Sequence, residues 1–531
     1  MAVPARELAF AEGVLERARA AATGDAEAAA GFRADAAAGG VTLRARVLQC
    51  KRVPAGSGVS YGHTYVTERA TTLALVDIGY GHGLPRKAGN RARVCVAGAL
   101  VPIVGRVAMD ACVIDVGDLP VSPGDAVTIF GTAGSGALPL AQWAASVGEE
   151  PLSVLASLRL GHGEGTRGEG TRGGDSLGIA PFDPANRAVV SGDALRANVA
   201  LMRARVAPAE LIAVVKDGAY GHGLAGAVGA FVEAGVRCFG ALDVATAHRV
   251  HELAPEARIF AWVLDEPDAL PRAISEGIEL GVTSEHSLAR VAAAARIAGR
   301  PARVHLKTDT GLHRAGVRAE GWAAFVADAL ARPDAIEVVG LWTHISEASD
   351  AEDTAAIGRF HAAVARAEAL GVTAPLLHLA ASAAAFARAD ARLDAVRVGA
   401  FLYGIAPGDG LGPAALGLRP AMALESRIAR RWDDAAGSFG VVPLGGVHGI
   451  PVDCAGAWFA VEGQRCAVVA VEPLRTVLRV DPRVRAGATV VLFGDGSRGE
   501  PTLQELADAA GTIGEELVTR LERTITRDWV R

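Results

Sequence analysis

Ala213-Val214-Val215-Lys216-Asp217-Gly218-Ala219-Tyr220-Gly221-His222-Gly223 is an apolar run that ends in a lysine and breaks at once into a Gly-rich turn. The run reads as a buried strand, and its terminal lysine is placed like one that forms a Schiff base. Short apolar runs of the same kind recur about every 25 residues on either side, with Ala-rich helical patterns between them. They are Ala188-Val189-Val190, Leu211 to Val215, Cys238 to Leu242, Ile259 to Val263, Val304 to Leu306 and Val338 to Trp342. Strand alternating with helix predicts parallel strands, and around eight such units predict a (β/α)8 TIM barrel. A doubly wound open sheet shares that period. The barrel is favoured because the chemically interesting residues fall at the ends of several different strands, where barrels build their sites.

Upstream, the Gly-rich stretch from Gly161 to Ala180 has almost nothing to bury and reads as a linker. Before it, Val41 to Val47, Thr71 to Ile78, Arg93 to Val96, Val101 to Val104, Cys112 to Val116 and Ala126 to Phe130 are short β-type runs separated by Gly, Pro and Asp. The tail repeats that pattern. Pro123 to Gly131 has a counterpart in Ala486 to Gly494, and Ile78 to Pro85 resembles Leu444 to Pro451. The expected organisation is an Ala-rich, helical extension (1–40), an all-β domain (41–160), a linker (161–180), the barrel (181–412) and a second, related β domain (413–531).

Bulk properties agree with a multidomain protein that acts on a small molecule. At 531 residues the chain exceeds a single core. No apolar run approaches the roughly 20 residues of a membrane span, and the start meets charge too early for a signal peptide, so a cytoplasmic location is expected. The net charge of −6 shows no basic stripe, which argues against a nucleic-acid partner. Cys50, Cys95, Cys112, Cys238, Cys454 and Cys466 are scattered without a C-x-x-C pair, so free thiols are expected and neither a metal site nor a disulfide framework is.

The lysine segment closely resembles the cofactor-lysine motif of the alanine racemases, which bind pyridoxal phosphate covalently through this residue. The resemblance extends from about Val41 to the end in an unusual order, because a racemase has a barrel followed by one β domain of this type, not one on each side. It implies that Lys216 holds the cofactor and serves as base on one face of the substrate α-carbon, which requires a pKa lowered toward neutrality. Tyr220 is implied near the phosphate.

His305-Leu306-Lys307-Thr308-Asp309-Thr310-Gly311-Leu312-His313-Arg314 resembles the segment that carries a structural lysine, here Lys307, and an arginine, here Arg314, toward the cofactor phenolic oxygen and the substrate. Some family members carbamylate the matching lysine, so Lys307 is a candidate for that modification. The resemblance sets His344 of Trp342-Thr343-His344 against the pyridine ring and Ser382 of Leu377-His378-Leu379-Ala380-Ala381-Ser382 on the phosphate, although Ala381 replaces a family asparagine. Arg397 faces the ring nitrogen in this reading. Being always protonated, it leaves that nitrogen without a proton and weakens the electron sink, which suits proton return over transamination. Amides at Gly399 and Ala400 complete a phosphate cradle.

Racemisation needs a second base on the opposite face. Ser60-Tyr61-Gly62-His63-Thr64-Tyr65 resembles the family segment with the catalytic tyrosine and assigns that role to Tyr61, while substrate-binding Tyr80 and Arg86 match positions near the substrate entrance and Met109 and Asp110 a segment that lines the substrate carboxylate site. In the second β domain the tyrosine turn is missing, since Ser438-Phe439-Gly440 runs directly into Val441-Val442-Pro443. Pro473-Leu474 stands in place of Met109-Asp110, and Glu515, like Glu149 in the first copy, occupies a phosphate-contacting tyrosine position.

The expected function is interconversion of L- and D-alanine, supplying D-alanine for the cell wall, by a two-base mechanism in a homodimer, with Tyr61 delivered in cis or from a partner. Racemisation of another small amino acid and a pyridoxal-phosphate-binding protein without racemase activity are the alternatives. Asp217-Gly218 after the lysine also allows a decayed enzyme.

Overall fold

The computed structural model describes residues 6–22, 25–158, 182–264, 266–408, 410–454 and 456–531. The segment read as a linker, 161–180, lies outside the described residues.

The leading β domain is built on a seven-stranded sheet: β1 (Glu7–Phe10), β2 (Val41–Val53), β5 (Thr71–Val76), β6 (Arg93–Val96), β7 (Ala99–Val104), β8 (Cys112–Gly117) and β9 (Ala126–Phe130), in the order β1-β2-β5-β8-β7-β6-β9. A further β2–β9 pairing curls the sheet back on itself. Burial alternates along most of β2, as expected of a strand with one face inward. Between β2 and β5 a small hairpin, β3 (Gly58–Val59) with β4 (Tyr65–Val66), carries a single helical turn at Tyr61–His63 on its tip. The Ala-rich extension is helical over Val14–Ala22 and Ala26–Ala38, and its Val14, Ala18, Phe32 and Ala36 enter the core of this domain.

The barrel is closed by eight parallel strands: β11 (Glu210–Val214), β12 (Cys238–Asp243), β13 (Arg258–Val263), β14 (Glu279–Val282), β15 (Ala302–Lys307), β16 (Ile336–Trp342), β17 (Leu376–His378) and β18 (Ala395–Val398). β12, β14 and β18 are buried along their whole length, the signature of strands covered on both faces. Phe260, Trp262, Trp342, His305 and His378 stack against one another in the interior, so the barrel is a filled core and not a pore.

One expectation changes. Ala188-Val189-Val190 lies in β10 (Arg187–Ser191), which is not a barrel strand. It pairs with β19 (Met422–Arg427) and with β26 (Thr526–Val530) in the trailing sheet. A short apolar run before a helix looks the same in either setting.

The trailing sheet has nine strands, adding β20 (Arg430–Asp434), β21 (Gly437–Val442), β22 (Trp458–Val461), β23 (Gln464–Val471), β24 (Thr476–Arg479) and β25 (Thr489–Phe493), in the order β20-β21-β24-β23-β22-β25-β19-β10-β26. Its pairings reproduce those of the leading sheet, with β19–β20 in the place of β2, and β21, β24, β23, β22 and β25 in the places of β5, β8, β7, β6 and β9. Even β1 has a counterpart, because both β1 and β10 run antiparallel to the first long strand of their sheet and lead into a helix, Val14–Ala22 and Gly192–Val206 respectively.

The two β domains also grip each other reciprocally. Helix Gly514–Arg520 of the trailing domain packs on the Tyr80–His82 turn of the leading one, and helix Pro151–Ser157 of the leading domain packs on the Gly446–His448 turn of the trailing one. At Gly446 a Cβ would come 2.4 Å from Ser153 Oγ, so helix and turn pack closely here. This is a pseudo-two-fold contact inside one chain.

Candidate active site

Lys216 follows the end of β11, and the four residues after it, Asp217 to Tyr220, all have φ between 51° and 60°. Such a left-handed turn costs L-residues roughly 1–2 kcal/mol each, and strain of this kind is kept where surrounding packing over-determines it. That packing is visible at Gly221, where a Cβ would lie 2.2 Å from the carbonyl oxygen of Val518 in the trailing domain. Below the turn, Tyr403 donates to the carbonyl of Val214 at 3.0 Å. Tyr220 reaches across to β18, where its hydroxyl is 1.9 Å from the position of a Cβ on Gly399, and the amide of Gly399 donates to Ser382 Oγ at 3.0 Å. Hydroxyls of Tyr220 and Ser382 thus converge on the first amides of the Ala400–Tyr403 turn.

The leading domain closes this end of its own barrel. Its hairpin tip docks through backbone bonds, Ser60 N to Leu312 O at 3.0 Å and Gly62 N to Ser346 O at 2.9 Å, and through a buried ion pair of Lys51 with Asp309 at 2.5 Å. Asp309 also accepts from the amides of Gly311 and His313, so the same carboxylate shapes the loop that delivers Arg314. Its pKa is held far below the usual carboxylate range, since Lys51 and His313 outweigh the cost of burial. Docking leaves Tyr61 Oη 2.6 Å from His344 Nε2, with Arg314 Nη2 at 3.3 Å and its guanidinium 4.8 Å over the Tyr61 ring.

Hydrogen positions in this cluster follow from Arg397, which can only donate. Its Nη2 gives to His344 Nδ1 at 3.1 Å and its Nη1 to His378 Nδ1 at 2.7 Å, so both imidazoles accept at Nδ1 and carry their proton on Nε2. His344 therefore donates to the Tyr61 oxygen. His378 donates to His305 Nδ1 at 2.9 Å, and His305 passes its Nε2 proton to Glu279 at 3.0 Å. Burial, reinforced by Arg314 and Arg397 around His344 and by Arg397 at His378, holds both rings neutral, well below their ordinary pKa. Burial pushes Arg397 down to about 9, which still leaves it charged at neutral pH. Lys307 lies 4.3 Å over the Trp342 ring, and burial together with Arg314 and Arg397 drives its pKa well below that of a free lysine.

Lys216 Nζ is 2.6 Å from Asp110 Oδ2 of the leading domain. Burial disfavours its ammonium, but Asp110 and then Asp217 outweigh that and raise its pKa, the opposite of the lowering expected from the sequence. Tyr80 and Met109 are buried beside it, and the amide of Gly81 donates to the Met109 carbonyl at 2.8 Å.

Two halves of a known family lie along the chain. Residues 190–407 match the alanine racemase N-terminal domain, and residues 40–161 and 432–529 both match the alanine racemase C-terminal domain. The alanine racemase of Thermobifida fusca is 36% identical over 364 residues, covering 63% of this chain and 95% of its own, and that of Beutenbergia cavernae is 37% identical over 370 residues, covering 64% and 97%. Among solved structures, alanine racemase from D-cycloserine-producing Streptomyces lavendulae superposes with a TM-score of 0.63 at 33% identity, over 66% of this chain and 98% of its own.

The chain belongs to the alanine racemase family. Its isomerase fold is present with a second C-terminal-type domain added in front, and that added domain is the one that brings Tyr61 to the barrel mouth. In the trailing copy, residues 435–436 replace the whole segment 54–70 between equivalent strands, so the hairpin that carries Tyr61 has no counterpart. Pro473 takes the place of Met109, since Val447 N bonds the Pro473 carbonyl as Gly81 N bonds that of Met109.

The structure brings together Lys216, Tyr61, Tyr80, Met109, Asp110, Tyr220, Lys307, Arg314, His344, Ser382, Arg397, Gly399 and Ala400. Glu515 lies among them, facing Tyr80, Tyr220, Arg86 and Lys216. Burial raises its pKa, and that of Glu347 nearby rises to about 7. Glu149 does not join the site; it pairs with Lys87 and Arg520 between the β domains. Sequence reading missed Glu279, Glu347 and Lys51, and quoted His305 and His378 without a part in the network. Among the described residues all six cysteines are free, no set of side chains is placed to hold a metal, and no helix is long and apolar enough to cross a membrane.

Proposed function

We propose that this chain interconverts L- and D-alanine with pyridoxal phosphate, using Lys216 and Tyr61 as the two bases, and that both reach the substrate from a single chain. The observation that carries the reading is the approach of Tyr61 Oη to within 2.6 Å of His344 Nε2 at the mouth that also holds Lys216.

The residues present fit the cofactor. The Tyr220 hydroxyl packs where a Cβ on Gly399 would lie, and with Ser382 and the amides at the end of this barrel strand it makes the donor set of a phosphate site. Glu515 departs from that donor set, and burial raises its pKa, the direction that favours the protonated carboxyl able to donate to a phosphate oxygen over the carboxylate that would repel it. Lys216 would hold the cofactor covalently, Tyr220, Ser382, Gly399 and Ala400 its phosphate, Arg397 its ring nitrogen and His344 its ring face. When bound, pyridoxal phosphate withdraws electron density from the α-carbon of an attached amino acid and makes its proton acidic.

The chain's own work is proton handling. Lys216 removes or returns the proton on one face. Tyr61 serves the other, its oxygen fixed between N–H donors from His344 and Arg314. Arg397, hydrogen-bonded through Nη1 and Nη2 and charged, would leave the ring nitrogen without a proton. Lys307, whose pKa burial and the neighbouring arginines lower, is suited to carbamylation. Asp110 and Met109 line the space for substrate.

Under this reading the activity is cytoplasmic and supplies D-alanine for the cell wall. A homodimer enters only as an association outside the site, because the surface a partner's β domain would take is covered by the chain's own leading domain. The test is incubation of cofactor-loaded protein with L-alanine in heavy water, following α-deuterium and D-alanine together. Formation of both supports a two-base racemase, whereas neither appearing removes the assignment to alanine.

A further inference from the structure

Asp217 is the residue of the lysine turn for which the two-base scheme has no use. Its left-handed backbone aims the carboxyl toward the leading domain, into space that only glycine leaves free: a Cβ on Gly81 would sit 2.5 Å from Asp217 Oδ1. There it meets Asp110. Asp110 Oδ2 is committed to the Lys216 ammonium, while Asp110 Oδ1 and Asp217 Oδ2 are both buried and, among the described residues, accept from no donor.

Two buried carboxylates and one ammonium would leave an uncompensated negative charge, and two facing acceptor oxygens repel. One proton between them removes both penalties, because a protonated carboxyl is a donor. We propose that Asp217 and Asp110 hold a single proton between them beside Lys216, so that Asp217 is a positioning residue that sets when the lysine releases its own proton.

With the shared proton in place the pair carries one negative charge, matched to one ammonium. Once it is lost, a second carboxylate faces Lys216 and holds its proton more tightly. The other titratable groups facing Asp217 are Tyr220 on the same turn and Asp243 at the end of β12. Tyr61, His344 and Glu515 also lie close enough to the ammonium to interact with it electrostatically. Burial and the neighbouring Asp110 push the Asp217 carboxyl well above the ordinary range, in the direction the geometry requires.

This inference rests on Lys216 being the proton-transferring lysine, and its test does not need turnover. Infrared spectra of the full-length protein at neutral pH should contain the carbonyl band of a protonated carboxylic acid that disappears in both Asp217→Asn and Asp217→Ala. Asparagine supplies Asp110 with an N–H that cannot titrate. In both variants the pH profile for capture of added pyridoxal phosphate, followed by absorbance, should move down by about one unit, or about tenfold in rate on its alkaline limb. Wild-type spectra without a protonated-acid band overturn the proposal even if neither variant folds. A band indifferent to both variants, or superimposable capture profiles, overturns it too. Racemisation assayed in parallel separates the two readings: band and profile behaving as stated in a protein that does not racemise alanine keep this inference and remove the functional one.

Discussion

Tyr61 Oη and His344 Nε2 are 2.6 Å apart, and the two residues belong to different domains of one chain. The bond is fixed from behind by Arg397, which orients the imidazole so that its proton points at the tyrosine. Replacing Tyr61 by Phe removes the oxygen and leaves the packing, so racemisation should fall by about 10²–10⁴-fold, the usual worth of a positioned acid or base. Exchange of the α-proton of one enantiomer, measured by mass spectrometry in heavy water, should survive through Lys216.

Delivery within one chain predicts the outcome of mixing. Tyr61→Phe and Lys216→Ala each retain what the other lacks, so a site shared between subunits would recover activity in mixed assemblies. No recovery is expected after co-expression or co-refolding, and specific activity should not depend on protein concentration.

Lys51 and Asp309 form a buried pair across the docking surface, with side chains 8% and 1% exposed. Lys51→Ala strands a buried carboxylate, a change that costs about 3–5 kcal/mol. Chemical denaturation should show that loss, and the KM for alanine should rise with it as the loop carrying Arg314 loosens.

His222 gives an acid-sensitivity prediction. Its Nδ1 donates to the Tyr220 carbonyl at 2.9 Å, its Nε2 has no partner, and burial pushes its pKa down to about 4. Between about 6.5 and 4 the unfolded chain binds a proton that the folded one does not, so stability falls as pH drops through that window, by about 3 kcal/mol in total. Denaturation midpoints measured across that range should show the slope, and His222→Gln should flatten it.

Lys307 is buried beside Arg314 and Arg397, and burial and these two cations push its pKa well below that of a free lysine and so favour the neutral amine, the form that adds carbon dioxide. Carbon-13 NMR in labelled bicarbonate should show a carbamate carbonyl that is absent from Lys307→Met.

Most of the site was legible because each residue sits at a strand end or on a turn with a recognisable neighbourhood: Lys216 before its glycines, Arg397 before Gly399, Tyr61 between Ser60 and Gly62. The chain of His378, His305 and Glu279 was not, because its members come from separate strands and meet only in the closed interior of the barrel. β14 escaped for a similar reason, being four residues that begin with the glutamate ending that chain. β10 shows the converse failure, an apolar run whose partner strands lie more than two hundred residues downstream. The choice between Tyr61 acting in cis or from a partner was closed to sequence because it depends on which domain covers the mouth, a fact of docking and not of local pattern.

The pseudo-two-fold contact between the β domains keeps the symmetry of a pair while only one half of that pair has a catalytic centre. In a symmetric oligomer such an interface lets occupation of one site alter the affinity of its twin. Across this contact there is no twin to receive the signal, so it should carry no cooperativity or half-of-sites behaviour, and the interface is left free to act purely as a brace.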